Sequence, residues 1–215
     1  MPRDPRIFSS EFPYHLISRG NNGVVVFRDD EDRSYFLKLL AWLKKNFGVS
    51  ILHFSLMINH IHLVIWPPEK DPAMTSVFMK ELLLRYSLWY GEKYGQEGHL
   101  WKNRFKSYVI GNDSYMLTCG IYVELNAWRA GIVEQPEDYR WSSAGVYLRG
   151  ETNSLITLDP AFLALGATDE IRRAEYRKLV KMWQQKPVSK KEAVKYFKKG
   201  ALVFHPKQKI GVSVR

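Results

Sequence analysis

Two histidines stand two residues apart in the run Asn59-His60-Ile61-His62-Leu63-Val64-Ile65. On a strand, alternate side chains share a face, so His60 and His62 project together while Ile61, Leu63 and Ile65 point the other way. Two imidazoles on adjacent rungs can hold one divalent metal. They can equally be two half-exposed histidines that happen to alternate. A second set recurs downstream. Tyr115, Cys119, Tyr122 and Asn126 follow one another at helical spacing, which places them on one helix face. A phenol there lies one turn from a carboxamide oxygen that could complete a metal site. The alternative is an ordinary buried stripe. Tyr115 is a rival nucleophile, but its partner one turn on is Cys119, a poor ligand for a hard cation. A third stretch, Gly98-His99-Leu100-Trp101-Lys102-Asn103-Arg104-Phe105-Lys106, interleaves cations with aromatics. Aromatic rings can stack on unpaired bases while Lys and Arg track phosphates. The plainer alternative is a charged sheet edge that resists aggregation.

The elements that must hold these residues follow from periodicity and punctuation. Phe12 to Arg19 alternates as a strand, and Gly20-Asn21-Asn22-Gly23 breaks it. Asp29 to Asn46 has helical apolar spacing, acids in its first turn and Gly48 to end it. Val49 to Met57 and His60 to Trp66 are strands joined by Ile58-Asn59, which predicts a tight hairpin. Thr75 to Tyr94 is a long helix closed by Gly95, and Phe105 to Ile110 is a strand. Asn112 or Asp113 then caps a helix expected to run to about Ala130. This order predicts an α+β fold: a ferredoxin-like β-α-β-β-α-β antiparallel sheet with an added helix. Pro136 to Ser143 is expected to be an ordered loop with Tyr139 and Trp141 packed, and Glu170 to Gln185 a helix. Ser189 and Glu192 have capping-box spacing before a short basic helix ending at Gly200.

Composition narrows the class. The chain has 215 residues, 46% hydrophobic and 14% aromatic, enough for a real core. Its single cysteine excludes an internal disulfide framework and a CxxC zinc site. No apolar run approaches the ~20 residues that span a bilayer. The first residues lack the apolar stretch of a signal peptide, so an intracellular, cytoplasmic protein is expected. The net charge of +10 is unevenly spread: residues 1–170 net −2 and residues 171–215 net +12. Such asymmetry predicts a basic C-terminal segment that meets a polyanion, or a solvated helical region that keeps the protein soluble. The expected division is a body over 1–150 and a basic, mainly helical extension over 151–215.

Three pieces together, HFSLMINHIHLVI, GHLWKNRFKS and YVELNAWRAGIVEQPEDYRWSS, resemble the single-tyrosine HUH transposases, and among them the REP-associated tyrosine transposases. With the RGNN stretch the resemblance covers roughly residues 12–147. HUH names two histidines around a hydrophobic residue, here His60, Ile61 and His62. The resemblance implies that Tyr122 is the nucleophile and that His60, His62 and Asn126 bind Mg²⁺ or Mn²⁺. It implies cleavage and rejoining of single-stranded DNA beside a palindromic hairpin through a 5′-phosphotyrosine link. This chain has Ala127-Trp128 where Pro-Val is usual, which removes a helix breaker and predicts a helix that continues through that point.

Arg19, Asn21, Trp101, Lys102, Arg104, Lys106 and Arg129 are the expected nucleic-acid contacts in the body, with Lys190, Lys191, Lys195, Lys198 and Lys199 in the extension. A self-contained monomer is expected, with a homodimer as the other possibility. Two further classes stay open at this level: a non-catalytic DNA or RNA hairpin binder on the same fold, and a nuclease that uses water as the nucleophile.

Overall fold

The computed structural model describes residues 6–185. Local signals fix the first helix, α1 (Asp30–Phe47). Asp29 accepts from the Asp32 backbone N–H at 2.8 Å while Asp32 accepts from the Asp29 backbone, a reciprocal capping box. Gly48 ends the helix in the left-handed region at φ 66°, where a side chain would be strained. Around α1 the chain runs β1 (Tyr14–Arg19), β2 (Ser50–Met57), β3 (His60–Trp66), α2 (Met74–Tyr94) and β4 (Lys106–Val109). All pairings are antiparallel, in the spatial order β2-β3-β1-β4. This is the α+β, ferredoxin-like arrangement that the sequence predicts. It puts β1 and β3 in the middle of the sheet, and both carry histidines.

Each face of the sheet has its own cover. Leu16, Leu56, Ile61, Leu63 and Ile65 meet Phe36, Leu40 and Leu43 of α1 and Phe78, Leu82 and Tyr86 of α2, all buried. The alternate residues turn to the other face, where α3 (Asp113–Glu124) lies. There Val64 and Leu52 pack against Met116, Cys119 and Val123. A bulge in β2 between Ile51 and His53 resets the alternation, so Ile51 faces α1 and α2 while Leu52 and His53 both meet α3.

The helix expected to run to Ala130 is interrupted. α3 ends at Glu124, Leu125 breaks the pattern, and α4 (Asn126–Arg129) resumes it. The Asn126 side chain engages the helix at this point. Its Nδ2 donates to the carbonyls of Tyr122 at 2.9 Å and Val123 at 3.1 Å, the acceptors a continuing helix would offer its own backbone. Asn126 thereby fixes its own orientation against the turn that carries Tyr122.

Tyr139 and Trp141 are buried as expected. The Tyr139 hydroxyl donates to the Leu56 carbonyl and the Leu56 N–H to the Trp141 carbonyl, so this loop extends the free edge of β2. Three helices follow: α5 (Ala144–Arg149), α6 (Pro160–Leu163) and α7 (Asp169–Gln185). Tyr147, Phe162, Tyr176 and Val180 from these helices form one buried cluster with Ile121 and Leu125. The extension expected from residue 151 is therefore, as far as Gln185, packed onto α3. Several of its cations are engaged locally: Arg172 and Arg173 with Asp169, Lys178 with Glu175, and Arg177 on the Leu148 carbonyl. Lys190, Lys191, Lys195, Lys198, Lys199 and the helix expected between Ser189 and Gly200 lie outside the described residues. Among the described residues no helix is long and apolar enough to cross a membrane.

Candidate active site

The site forms where β3, β1 and the end of α3 converge. His60 and His62 leave β3 on the α3 face, with ring centroids 5.0 Å apart. Their ring orientations are set by neighbours. Asn59 Oδ1 lies 2.7 Å from His60 Nδ1, so Nδ1 donates and the ring lone pair falls on Nε2. His62 Nδ1 lies 2.8 Å from His15 Nε2 on β1, and the two rings are nearly parallel. If His62 Nδ1 donates there, its lone pair also falls on Nε2. Burial holds His15 down to about 3. Burial, and then the like charges of His15, His60 and Arg19, hold His62 well below its ordinary value. Both rings are thus neutral near pH 7, which is the form of imidazole that binds a metal.

Tyr122 faces this pair. Its ring centroid is 5.8 Å from that of His62 and 6.2 Å from that of His15. Burial raises the phenol above its ordinary pKa, while the Arg129 and Arg19 cations pull it back. The Arg129 guanidinium stands 5.0 Å from the Tyr122 ring centroid, and its Nη2 is buried without a hydrogen-bond partner among the described residues. Asn126 lies one turn beyond Tyr122. With its Nδ2 engaged by the helix, Oδ1 is the atom left for a ligand. The rival Tyr115 is 6% exposed in the cluster around Met116 and Cys119, and burial raises its pKa, so it cannot present an attacking oxygen.

These residues line a cleft of about 900 Å³. Arg19, Lys102, Arg104, Lys106 and Arg129 all border it, and among the described residues no Asp or Glu does. Residues 1–170, which net −2, thus carry a cationic cleft, because segments far apart in sequence converge there. Gln184, near the end of α7, completes the rim. Two expected contacts lie elsewhere. The Trp101 indole N–H donates to the Leu83 carbonyl of α2 at 3.0 Å, and its ring packs near Tyr86. Asn21 sits in a tight turn tied to Leu100 and does not border the cleft.

Behind the cleft is a polar cluster that the sequence reading did not single out. His53, on β2, is fully buried. Its Nδ1 lies 2.8 Å from Glu124 Oε1 and its Nε2 3.2 Å from Asp159 Oδ2. Glu124 also accepts from Ser143 Oγ at 2.8 Å and from the Tyr176 hydroxyl at 2.9 Å. The His53 ring stacks on Tyr147 at 4.4 Å. A carboxyl oxygen opposite each ring nitrogen calls for a proton on both. Burial works against that charge, but the bonds to Asp159 and Glu124 outweigh it and raise His53 to about 9. A raised value stabilises the fold fully below the ordinary 6.5 and is lost as pH climbs through 9. At about 1.4 kcal/mol per decade the contribution is roughly 3 kcal/mol. We expect the melting temperature to fall by about 5–10 °C between pH 7 and 10. A profile no steeper than that of His53→Gln would show that the ring is neutral. The available sequence signal was polarity out of place: a His within an apolar strand and a Glu among the apolar positions of α3.

Comparison with known proteins bears on the family and the fold. A family described as Transposase IS200 like matches residues 8–126, more than half of the chain. A solved structure titled "Structure of the REP associates tyrosine transposase bound to a REP hairpin" has 18% sequence identity and a TM-score of 0.59. The match covers 74% of this chain and 93% of that one, and at such identity it speaks for the fold alone. No curated protein matches the sequence. The matched span takes in the histidine pair, the cationic loop at 102–106 and the turn carrying Tyr122 and Asn126, and it places this chain in the IS200-like transposase family.

Proposed function

We propose that this protein cuts and rejoins single-stranded DNA beside a hairpin, with Tyr122 as nucleophile. One observation carries the proposal: Tyr122 faces the His60–His62 pair across a cleft bordered, among the described residues, by five cations and no carboxylate. The polyanion for such a cleft is nucleic acid, and the REP hairpin in the related structure's title points to a folded DNA end. In cleavage, the Tyr122 oxygen attacks phosphorus, the Tyr–O–P bond forms and the P–O3′ bond breaks. The phenolic proton is released to the medium or to a base, and the departing 3′-oxygen takes one up. A second 3′-hydroxyl reverses the step and joins new ends without external energy, since the phosphoester is kept throughout.

His60, His62 and Asn126 are the residues that would hold Mg²⁺ or Mn²⁺, with two ring nitrogens and one carboxamide oxygen. The Asn59 bond to His60, the neutral His62 ring and the anchored Asn126 carboxamide suit that task, although among the described residues no group of three His, Cys, Asp or Glu is arranged to hold a metal ion. Such an ion, when bound, supplies positive charge against the phosphoryl oxygens. The chain's own residues do the rest. Arg129 offers its buried Nη2 to a phosphoryl oxygen, α3 holds the phenol in line, and the cleft cations track the strand. Tyr122 and the histidine pair come from one chain, which supports a site complete in a monomer.

The test is an SDS-stable adduct on a 5′-labelled or 3′-labelled single strand carrying a hairpin, with Mn²⁺ present. An adduct that retains the 3′ fragment is expected. Hairpin binding without an adduct would mean a non-catalytic binder, and cleavage without an adduct a water-using nuclease. A salt titration tests the basic segment. If it neutralises about six phosphates, log K falls against log salt with a slope near −5. Removing residues 186–215 should flatten that slope, and an unchanged slope would show that they do not contact the DNA.

A further inference from the structure

We infer that the buried His53–Glu124–Asp159 cluster positions the nucleophile, and that through it the segment after residue 150 belongs to the cleavage machinery. The inference rests on Tyr122 being the nucleophile. Glu124 lies two residues from both Tyr122 and Asn126, about 200° around the helix from each. While they face the cleft, it faces the interior, so its bonds fix the rotation of α3 about its axis. The grip is close as well as polar. A Cβ on Gly120, one turn before Glu124, would stand 2.5 Å from His53 Cε1 and 2.6 Å from Nε2. The helix therefore rests directly on the imidazole, and only glycine permits it.

The partners come from every surrounding element. Asp159 caps α6 through Ala161 N–H at 2.7 Å, Tyr176 reaches in from α7, and Ser143 and Tyr147 come from the start and middle of α5's segment. The Tyr147 hydroxyl also accepts from the Asp159 N–H at 3.1 Å, which joins α5 to α6 beneath the ring. None of these groups borders the cleft, so none touches DNA in the proposed reaction. They are positioning residues, acting on chemistry through the rotation and depth of α3.

The experiment compares Glu124→Gln, Tyr176→Phe and Gly120→Ala with the wild-type full chain. Three quantities are read: the single-turnover rate of adduct formation at saturating DNA, the hairpin Kd, and amide hydrogen exchange across 113–129. Glu124→Gln and Gly120→Ala should slow adduct formation by 10-fold to 100-fold with Kd within twofold. Tyr176→Phe, the mildest change, should slow it 3-fold to 10-fold and guards against misfolding of the other two. Exchange in α3 and α4 should rise in all three while α1 stays protected. Ring NMR of His53 should show two protonated nitrogens at pH 7.5 in the wild type. Wild-type rates together with unchanged exchange in α3 would overturn the inference. A wild-type chain that forms no adduct would instead sink Tyr122 as nucleophile, and the exchange data would still decide whether the cluster holds the helix.

Discussion

Replacing Tyr122 with phenylalanine is expected to abolish the covalent adduct and leave hairpin affinity within twofold. The substitution removes one oxygen from a ring whose carbon frame packs against α3's neighbours and lies under the Arg129 guanidinium, so the packing survives. The other tyrosines near the site are placed differently. Tyr115 is buried, and Tyr108, though it borders the cleft, leaves from β4 and not from α3, which carries Tyr122. Loss of the attacking group of a covalent mechanism costs about 10⁴-fold or more. The measurement is denaturing electrophoresis of a labelled strand, with affinity read separately at low temperature. An adduct of wild-type intensity in Tyr122→Phe would remove Tyr122 from the mechanism.

The second large effect belongs to the histidine pair. His60→Ala together with His62→Ala should reduce cleavage to the level the wild type shows in excess chelator, and added Mn²⁺ should restore nothing. His62→Ala also strips His15 Nε2 of its 2.8 Å partner in a buried site, which destabilises by about 1–3 kcal/mol. His60 is only half-buried, so His60→Ala alone separates loss of a ligand from loss of fold. We expect that single change to raise the Mn²⁺ concentration needed for half-maximal rate by 10-fold or more while the melting temperature moves by under about 3 °C. Full activity at the original Mn²⁺ concentration would mean that the pair is structural.

What was legible in the sequence and what was not follows from range. Strand alternation and helix caps are local, so the four strands, the long helices and the shared face of His60 and His62 could be read from neighbours a few residues apart. Spacing alone did not express the interruption at Leu125, where a side chain bonds to helix carbonyls. The helix does run through Ala127 and Trp128, as the absence of proline predicts, and the interruption falls just before them at Leu125. Net charge misled for a related reason. A sum over 1–170 hides five cations from three separate segments that the fold gathers around one cleft. The His53 cluster needed the longest reach, because its three members are separated by 71 and 35 residues and meet only after α3, α6 and β2 have packed.

Gln184 of α7 borders the cleft, and residues 186–215 follow it closely in the chain. The nine Lys and Arg of residues 186–215, set against a single Glu, are tethered there. Under the proposed function, any contact they make with a strand already in the cleft would be intramolecular, at an effective concentration that short tethers bring to the millimolar range. Placed at the other end of the molecule, the same thirty residues would carry the same charge without that advantage, so under the proposed function any hold they have on a cut end depends on where α7 delivers the chain.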